Sequence, residues 1–232
     1  LAQEKTGEFW VDGRLFGAPK CHTAPDLEHA EVAIFVGKNP WHSHGFPRAR
    51  VILKALSADP KRTLIVIDPR RTETAELADY HLQVRPGSDA FCLSAILAVL
   101  VQEDLINQQF LDTRTHGFEK VRALLTPIDV ADYASRCGVP EATLREVARR
   151  IGRAESVAML EDLGIQQSPH STLSSYLEKL IYLCTGNFAR RGTMNLHSAM
   201  GSLVGKDRDA RTPVGGHRIM QGMVPCNVIA DE

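Results

Sequence analysis

The chain has 232 residues, 44% of them hydrophobic and 24% charged, with a formal net charge of −1. That length suits one large domain, or a domain with a smaller lobe, and the balanced charge provides no field that would draw the chain to nucleic acid or to an acidic membrane surface. The five cysteines, Cys21, Cys92, Cys137, Cys184 and Cys226, include no Cys-x-x-Cys pair, which argues against an iron–sulfur cluster, a zinc site or a disulfide scaffold within these residues. No residue here is therefore expected to ligate a metal.

In chain order, residues 1–30 read as irregular, because Gly7, Gly13 and Gly17 interrupt Phe9-Trp10 and Leu15-Phe16. A strand at 32–37 leads to a helix near 47–58, a strand at 63–67 to a short helix near 72–79, and a strand at 80–84 to a long helix near 88–103. The apolar run from Ala90 to Val101 is shorter than the roughly 20 residues that cross a bilayer, so it reads as a buried helix and no membrane insertion is expected. Residues 104–153 read as helical throughout. A strand from Val157 to Leu160 then rejoins the sheet, and a helix follows from about Ser171 to Cys184. Beyond Gly186 the chain turns Gly-rich and basic, the texture of a long loop.

This alternation predicts an α/β fold, Rossmann-like, with a mostly parallel sheet covered by helices on both faces, a helical segment and a Gly-rich C-terminal loop region. Three parts are expected: an irregular lead-in at 1–30, a Rossmann-like dinucleotide-binding domain at 31–155, and a return segment at 156–232 that is loop-rich at its end.

Three apolar strands run into turns rich in Gly, Pro or charge: Gly37-Lys38-Asn39-Pro40, Asp68-Pro69-Arg70-Arg71 and Arg85-Pro86-Gly87-Ser88-Asp89. In an open parallel sheet such exits converge on one crevice that binds nucleotide-like ligands. Gly37 allows a close backbone approach, and the helix after Pro47 would present free N–H groups to a diphosphate. Asp68 suits ribose hydroxyls. Arg70 and Arg71 suit phosphate or a base face. Among common bases only guanine has two adjacent donors, and one carboxylate, Asp89, can accept both while Gly87 lets the backbone pass close by. Each residue also has a plainer reading: Gly37 as a turn, Asp68 as a strand stop before Pro69, and Asp89 as a helix cap. The set at successive exits favours a ligand site.

The segments FVGKNPWHSHGFP, VIDPRRTETAELADYHLQVRPGSDA, LEDLGIQQS and LCTGNFARRGTMN resemble the molybdopterin oxidoreductases, which include formate dehydrogenases, related nitrate reductases and dimethyl sulfoxide reductase. The resemblance runs from about Asp26 to about Gly205. It implies a molybdenum or tungsten ion held by two pyranopterins, each extended by a guanine dinucleotide. It also implies that Gly37, Asn39 and Ser43 contact cofactor phosphates, that Asp68, Arg70 and Thr72 form a second contact loop, and that Gly87, Ser88 and Asp89 recognise guanosine. Gln167 would touch a pterin, and Gly192 lies in the stretch returning toward the second cofactor.

The family's cysteine-ligated iron–sulfur segment and its metal-ligating residue are not matched here. Cys21-His22 stands too close to Gly37 for that pair and aligns with a linker. The chain therefore reads as the central cofactor-binding piece of a longer, formate dehydrogenase-like redox enzyme. It would be inactive alone, joined to missing N- and C-terminal domains, the N-terminal one expected to carry an iron–sulfur cluster, and would act on a small molecule and exchange electrons with a partner subunit, with no nucleic acid involved and a cytoplasmic location expected on family grounds, a periplasmic one being the alternative. The alternative is a non-catalytic relative that keeps the fold in an electron-transfer complex without the metal cofactor.

Overall fold

The computed structural model describes the backbone of residues 2–17, 22–196, 210–219, 224 and 226–231, and their side chains apart from those of 2–6, 226, 227 and 231. Its elements in order are α1 (Ala2–Phe16), β1 (Thr23–Pro25), β2 (Val32–Val36), α2 (Pro40–Ser43), α3 (Ala49–Ala58), β3 (Thr63–Ile67), α4 (Glu73–Glu76), β4 (Tyr80–Leu82), α5 (Asp89–Gln102), α6 (Gln108–Arg114), α7 (Phe118–Leu125), α8 (Val130–Cys137), α9 (Glu141–Gly152), β5 (Val157–Glu161), α10 (Leu163–Gln166), α11 (Ser171–Cys184) and β6 (Met194–Leu196), with a 3-10 turn at Cys226–Asp231.

Four strands form a parallel sheet in the order β4-β3-β2-β5. Every residue of β2 and β3 is buried, as parallel strands covered on both faces require, so their sequences are unbroken apolar runs rather than alternating ones. The chain moves from β2 through β3 to β4, then returns past both to place β5 on the free side of β2. Right-handed crossovers therefore put α3 and α4 on one face and the helices between β4 and β5 on the other. Helix α5 is the centre of that second layer: Cys92, Leu93 and Ala95 to Leu100 are all buried, and it packs against α8, α9 and α11.

Several expected elements are shorter or differently placed. The helix expected near 72–79 is one turn, Glu73–Glu76, because Asp79 is drawn back to the sheet: its N–H donates to the Leu64 carbonyl (2.9 Å) and its carboxylate accepts from the Leu64 N–H (2.8 Å). The strand expected to reach 84 ends at Leu82, since the Arg85 N–H donates to the Cys137 carbonyl (2.8 Å) and takes the chain away to α8. Residues 2–16 form a helix instead of irregular structure. Glycine costs a helix about 1 kcal/mol relative to alanine, but α1 buries Phe9 and Val11 and packs on α11, and that burial outweighs Gly7 and Gly13. Strand β5 pairs with β2 in the same sheet, so the sheet spans the boundary expected at 155/156. A separate two-stranded antiparallel sheet joins β1 to β6. Cys21, Gly201, Gly205 and Gly222 lie outside the described residues. Among the described residues no helix is long and apolar enough to cross a membrane.

Candidate functional site: the carboxyl edge of the sheet

Strand order reverses between β2 and β5, so the crevice beyond their carboxyl ends is the switch point at which open α/β sheets bind ligands. It is lined by four exits, after β2, β3, β4 and β5. The first and last meet directly. The Gly164 N–H donates to the Gly37 carbonyl (3.0 Å), and a Cβ on Gly37 would lie 2.6 Å from the Ile165 nitrogen. Gly37 (φ +57°) is thus needed for close approach, and the backbone approaching it is that of the β5 exit. Beside this contact Lys38, almost fully buried, pairs with Asp162 and ties the same two exits together.

The first two exits are joined by side chains. Asn39 donates to Glu73 Oε2 (2.9 Å) and accepts from Thr74 Oγ1 (2.7 Å), while His42 Nε2 stands 3.0 Å from Glu73 Oε1. Glu73's own N–H, His42 and Asn39 hold its carboxyl down to about 2. The Ser43 hydroxyl donates to the Asn39 carbonyl (3.0 Å) on an exposed turn. Asp68 accepts from the Arg70 N–H (2.8 Å), which shapes the turn and leaves the Arg70 side chain exposed. Thr72 caps α4 by accepting from the Ala75 N–H (3.2 Å).

At the third exit Gly87 (φ +77°) sits against Pro169 of the β5 exit, its would-be Cβ 3.4 Å from the proline Cδ. The Ser88 hydroxyl donates to the Arg85 carbonyl (2.6 Å) and closes the turn. Asp89 opens α5 and is 5% exposed. Burial pushes its carboxyl above the ordinary range, its own N–H opposes this, and the neighbouring Asp68 pushes it further up. Asp68 is thus close enough to repel the Asp89 carboxylate, and a ligand that presents adjacent N–H donors to Asp89 would offset the cost of its burial.

The structure brings Gly37, Asn39, Ser43, Asp68, Arg70, Thr72, Gly87, Ser88 and Asp89 to the exits of three adjacent strands, and Gln167 is exposed at the end of α10 on the fourth. Gly192 is not with them. Its N–H donates to Asp26 Oδ2 (2.9 Å), and its would-be Cβ meets the His29 carbonyl and Ser156 Oγ, residues that precede β2 and β5. It therefore lies at the opposite, amino end of the sheet. Gln166, one residue before the expected Gln167, is buried and donates to Ser175 Oγ (2.9 Å).

Sequence reasoning missed the group this bond leads to. Ser175 Oγ donates to Glu161 Oε2 (3.0 Å), and Lys179 Nζ lies 3.3 Å from both Glu161 Oε1 and Glu178 Oε2. Burial drives the Glu161 carboxyl up to about 8 against the pull of Lys179. The available signal was Glu178-Lys179, a charged pair within the apolar run of α11.

The fold is similar to acetylene hydratase from Pelobacter acetylenicus, with a TM-score of 0.69 and 22% identity over 81% of this chain and 25% of that one. In sequence the chain is 34% identical to the F420-dependent formate dehydrogenase subunit alpha of Methanocaldococcus jannaschii, over 72% of this chain and 24% of that protein. It is likewise 34% identical to a nitrate reductase of Synechocystis sp., over 76% and 24%, and 30% identical to formate dehydrogenase H of Escherichia coli, over 77% and 26%. The chain thus spans about a quarter of the length of these relatives. The family model described as molybdopterin oxidoreductase matches residues 8–222, and with the parallel sheet and its converging exits this establishes that the chain belongs to the molybdopterin oxidoreductase family.

Proposed function

We propose that this chain is the central part of a formate dehydrogenase-like molybdenum or tungsten oxidoreductase, and that the carboxyl edge of its sheet holds a guanine dinucleotide arm of the cofactor. The observation that carries the reading is the position of Asp89, a carboxylate 5% exposed at the first residue of α5, at a strand exit where Gly87 takes a positive φ and Asp68 stands at the neighbouring strand's exit. Asp89 would accept the two adjacent guanine donors, Asp68 the ribose hydroxyls, and exposed Arg70 a phosphate. Ser43 and Gln167 are exposed at neighbouring exits and would contact phosphate and pterin. Asn39, Thr72 and Ser88 already spend side-chain hydrogen bonds on the loops themselves, so their part would be to hold those loops in shape. Gly192 would act on the cofactor only indirectly, through the chain that follows it.

The bound cofactor would supply the redox chemistry at its metal, while the protein binds it, orients it and sets its surroundings. Formate is the substrate class favoured by the relatives, two of those cited being formate dehydrogenases by name, and electrons would pass to a partner subunit. The test is elemental analysis of the full-length protein for molybdenum and tungsten, with chromatography of nucleotide released by mild acid. Metal together with guanine nucleotide is the expected result. Absence of both from protein made in a cell that synthesises the cofactor would favour a non-catalytic relative instead.

A further inference from the structure

We propose that Glu8, Asp12 and His22 form a binding site for a divalent transition-metal cation of the zinc type, distinct from the sheet-edge crevice. Glu8 and Asp12 are four residues apart on α1, so they share the face that packs on α11. They are 4% and 0% exposed. His22 reaches them from the approach to β1, its ring held edge-on to Phe9 with centroids 5.2 Å apart. Nδ1 of His22 lies 3.5 Å from Asp12 Oδ2 and 3.7 Å from Glu8 Oε1, and one ligand atom from each of the three residues falls within 4.8 Å of the others.

Those separations are too long for hydrogen bonds. They match the edge of a tetrahedral site, which is about 3.4 Å when metal–ligand bonds are about 2.1 Å. Two further atoms point the same way: Nδ1 of His22, which faces both carboxylates, and Oδ1 of the fully buried Asp12 make no hydrogen bond, Oδ1 having the Lys179 ammonium 3.7 Å away. A buried carboxylate oxygen that accepts no hydrogen bond is costly, and a cation at 3.7 Å offsets that cost only in part. Among the described residues Lys179 is also near, 3.3 Å from Glu161 and Glu178 but 3.7 Å from Asp12 and 4.0 Å from Glu8. Lys179 thus leans toward Glu161 and Glu178 and away from Asp12 and Glu8. A divalent ion would be held by the His22 imidazole and the two carboxylates, a ligand set that suits zinc, manganese or iron better than magnesium or calcium. The Thr23 N–H donates to Asp12 Oδ2 (3.3 Å) and orients it, the supporting contact expected behind a metal ligand. His22, 24% exposed, leaves an entry path.

The test titrates zinc, and separately cobalt(II), into the full-length protein after dialysis against chelator, with calorimetry and the visible spectrum as readouts. The wild type should take up zinc and give the visible bands of tetrahedral cobalt. Asp12→Asn and His22→Gln should each weaken binding by roughly 100-fold or more, because each removes a ligand, while Glu161→Gln should keep it. No uptake by the wild type, or unchanged affinity in His22→Gln, overturns the proposal. Should Asp12→Asn fail to fold, His22→Gln decides alone, since its Nδ1 forms no hydrogen bond that the fold would lose. None of these readouts requires the molybdenum or tungsten cofactor, so the outcome is separable from that of the proposed function.

Discussion

Gly37 and Gly164 touch through bare backbone: the N–H of Gly164 donates to the carbonyl of Gly37 at 3.0 Å, and a Cβ on Gly164 would sit 2.6 Å from the Gly37 Cα. This contact locks the β2 exit to the β5 exit at the point where strand order reverses. Alanine at either position must push the two loops apart. Gly37→Ala, which also meets a positive φ, should destabilise by about 2–4 kcal/mol, and Gly164→Ala by about 1–3 kcal/mol. Denaturant unfolding of each variant checks this, and a loss below about 0.5 kcal/mol at both positions would refute the tight contact.

Asp89→Asn separates recognition from folding. Asparagine sets a donor where two ligand donors arrive, so guanine-nucleotide or cofactor binding should weaken by about 1–3 kcal/mol. The fold should be no less stable, because burial and Asp68 already disfavour the charged form of Asp89. The sign follows from linkage: a carboxyl raised on folding is held most favourably when protonated, so its penalty grows as pH rises past its unfolded value. Affinity for a guanine nucleotide should correspondingly fall as acidification protonates Asp89. A titration of binding against pH on the wild type and the asparagine variant measures both effects.

Glu73 behaves oppositely. Its carboxyl is lowered to about 2 by its own N–H, His42 and Asn39, so its contribution to stability is present above the ordinary glutamate value and is lost as pH falls through about 2. The difference in Tm between the wild type and Glu73→Gln should be constant at neutral pH and shrink toward zero in strong acid. A difference that instead grows on acidification would contradict the arrangement.

Gly192→Ala tests the separation of the two ends of the sheet. Its Cβ would meet the His29 carbonyl at 2.7 Å and φ is +76°, so a loss of roughly 2–4 kcal/mol in stability is expected. Under conditions where the variant remains folded, guanine-nucleotide affinity should match the wild type. A selective loss of affinity would place Gly192 in contact with the ligand after all.

Breaking the Lys38–Asp162 pair by Lys38→Met should cost about 1–3 kcal/mol, since it takes the ammonium away from a carboxylate that is 20% exposed. The double variant Lys38→Met with Asp162→Asn should recover part of that loss, as a double-mutant cycle by chemical unfolding would show.

The apolar runs of β2, β3 and β5 and the residues at their exits were legible because they are local. Buried parallel strands must be unbroken apolar segments, and turns that follow them need Gly, Pro or a capping side chain, so Asp68, Gly87 and Asp89 stood out from spacing and side-chain chemistry. Helix α1 was not legible: two glycines argue against it, and only packing on α11 overrules them. Nor was the use of Gly37, whose neighbour proved to be Gly164, 127 residues later, nor the position of Gly192 at the amino end of the sheet. The buried cluster of Glu8, Asp12, Glu161, Glu178 and Lys179 draws on α1, β5 and α11, and no window of sequence contains it. What the sequence by itself determined was the four strands of the parallel sheet, their exits and the chemistry those exits offer, because propensity, periodicity and turn geometry act over a few residues; the β1–β6 pair, in segments read as irregular or as loop, was not among them. Which exits meet, and which charges share a buried space, only the tertiary structure decided, because those relations depend on strand order and helix packing between segments far apart in the chain.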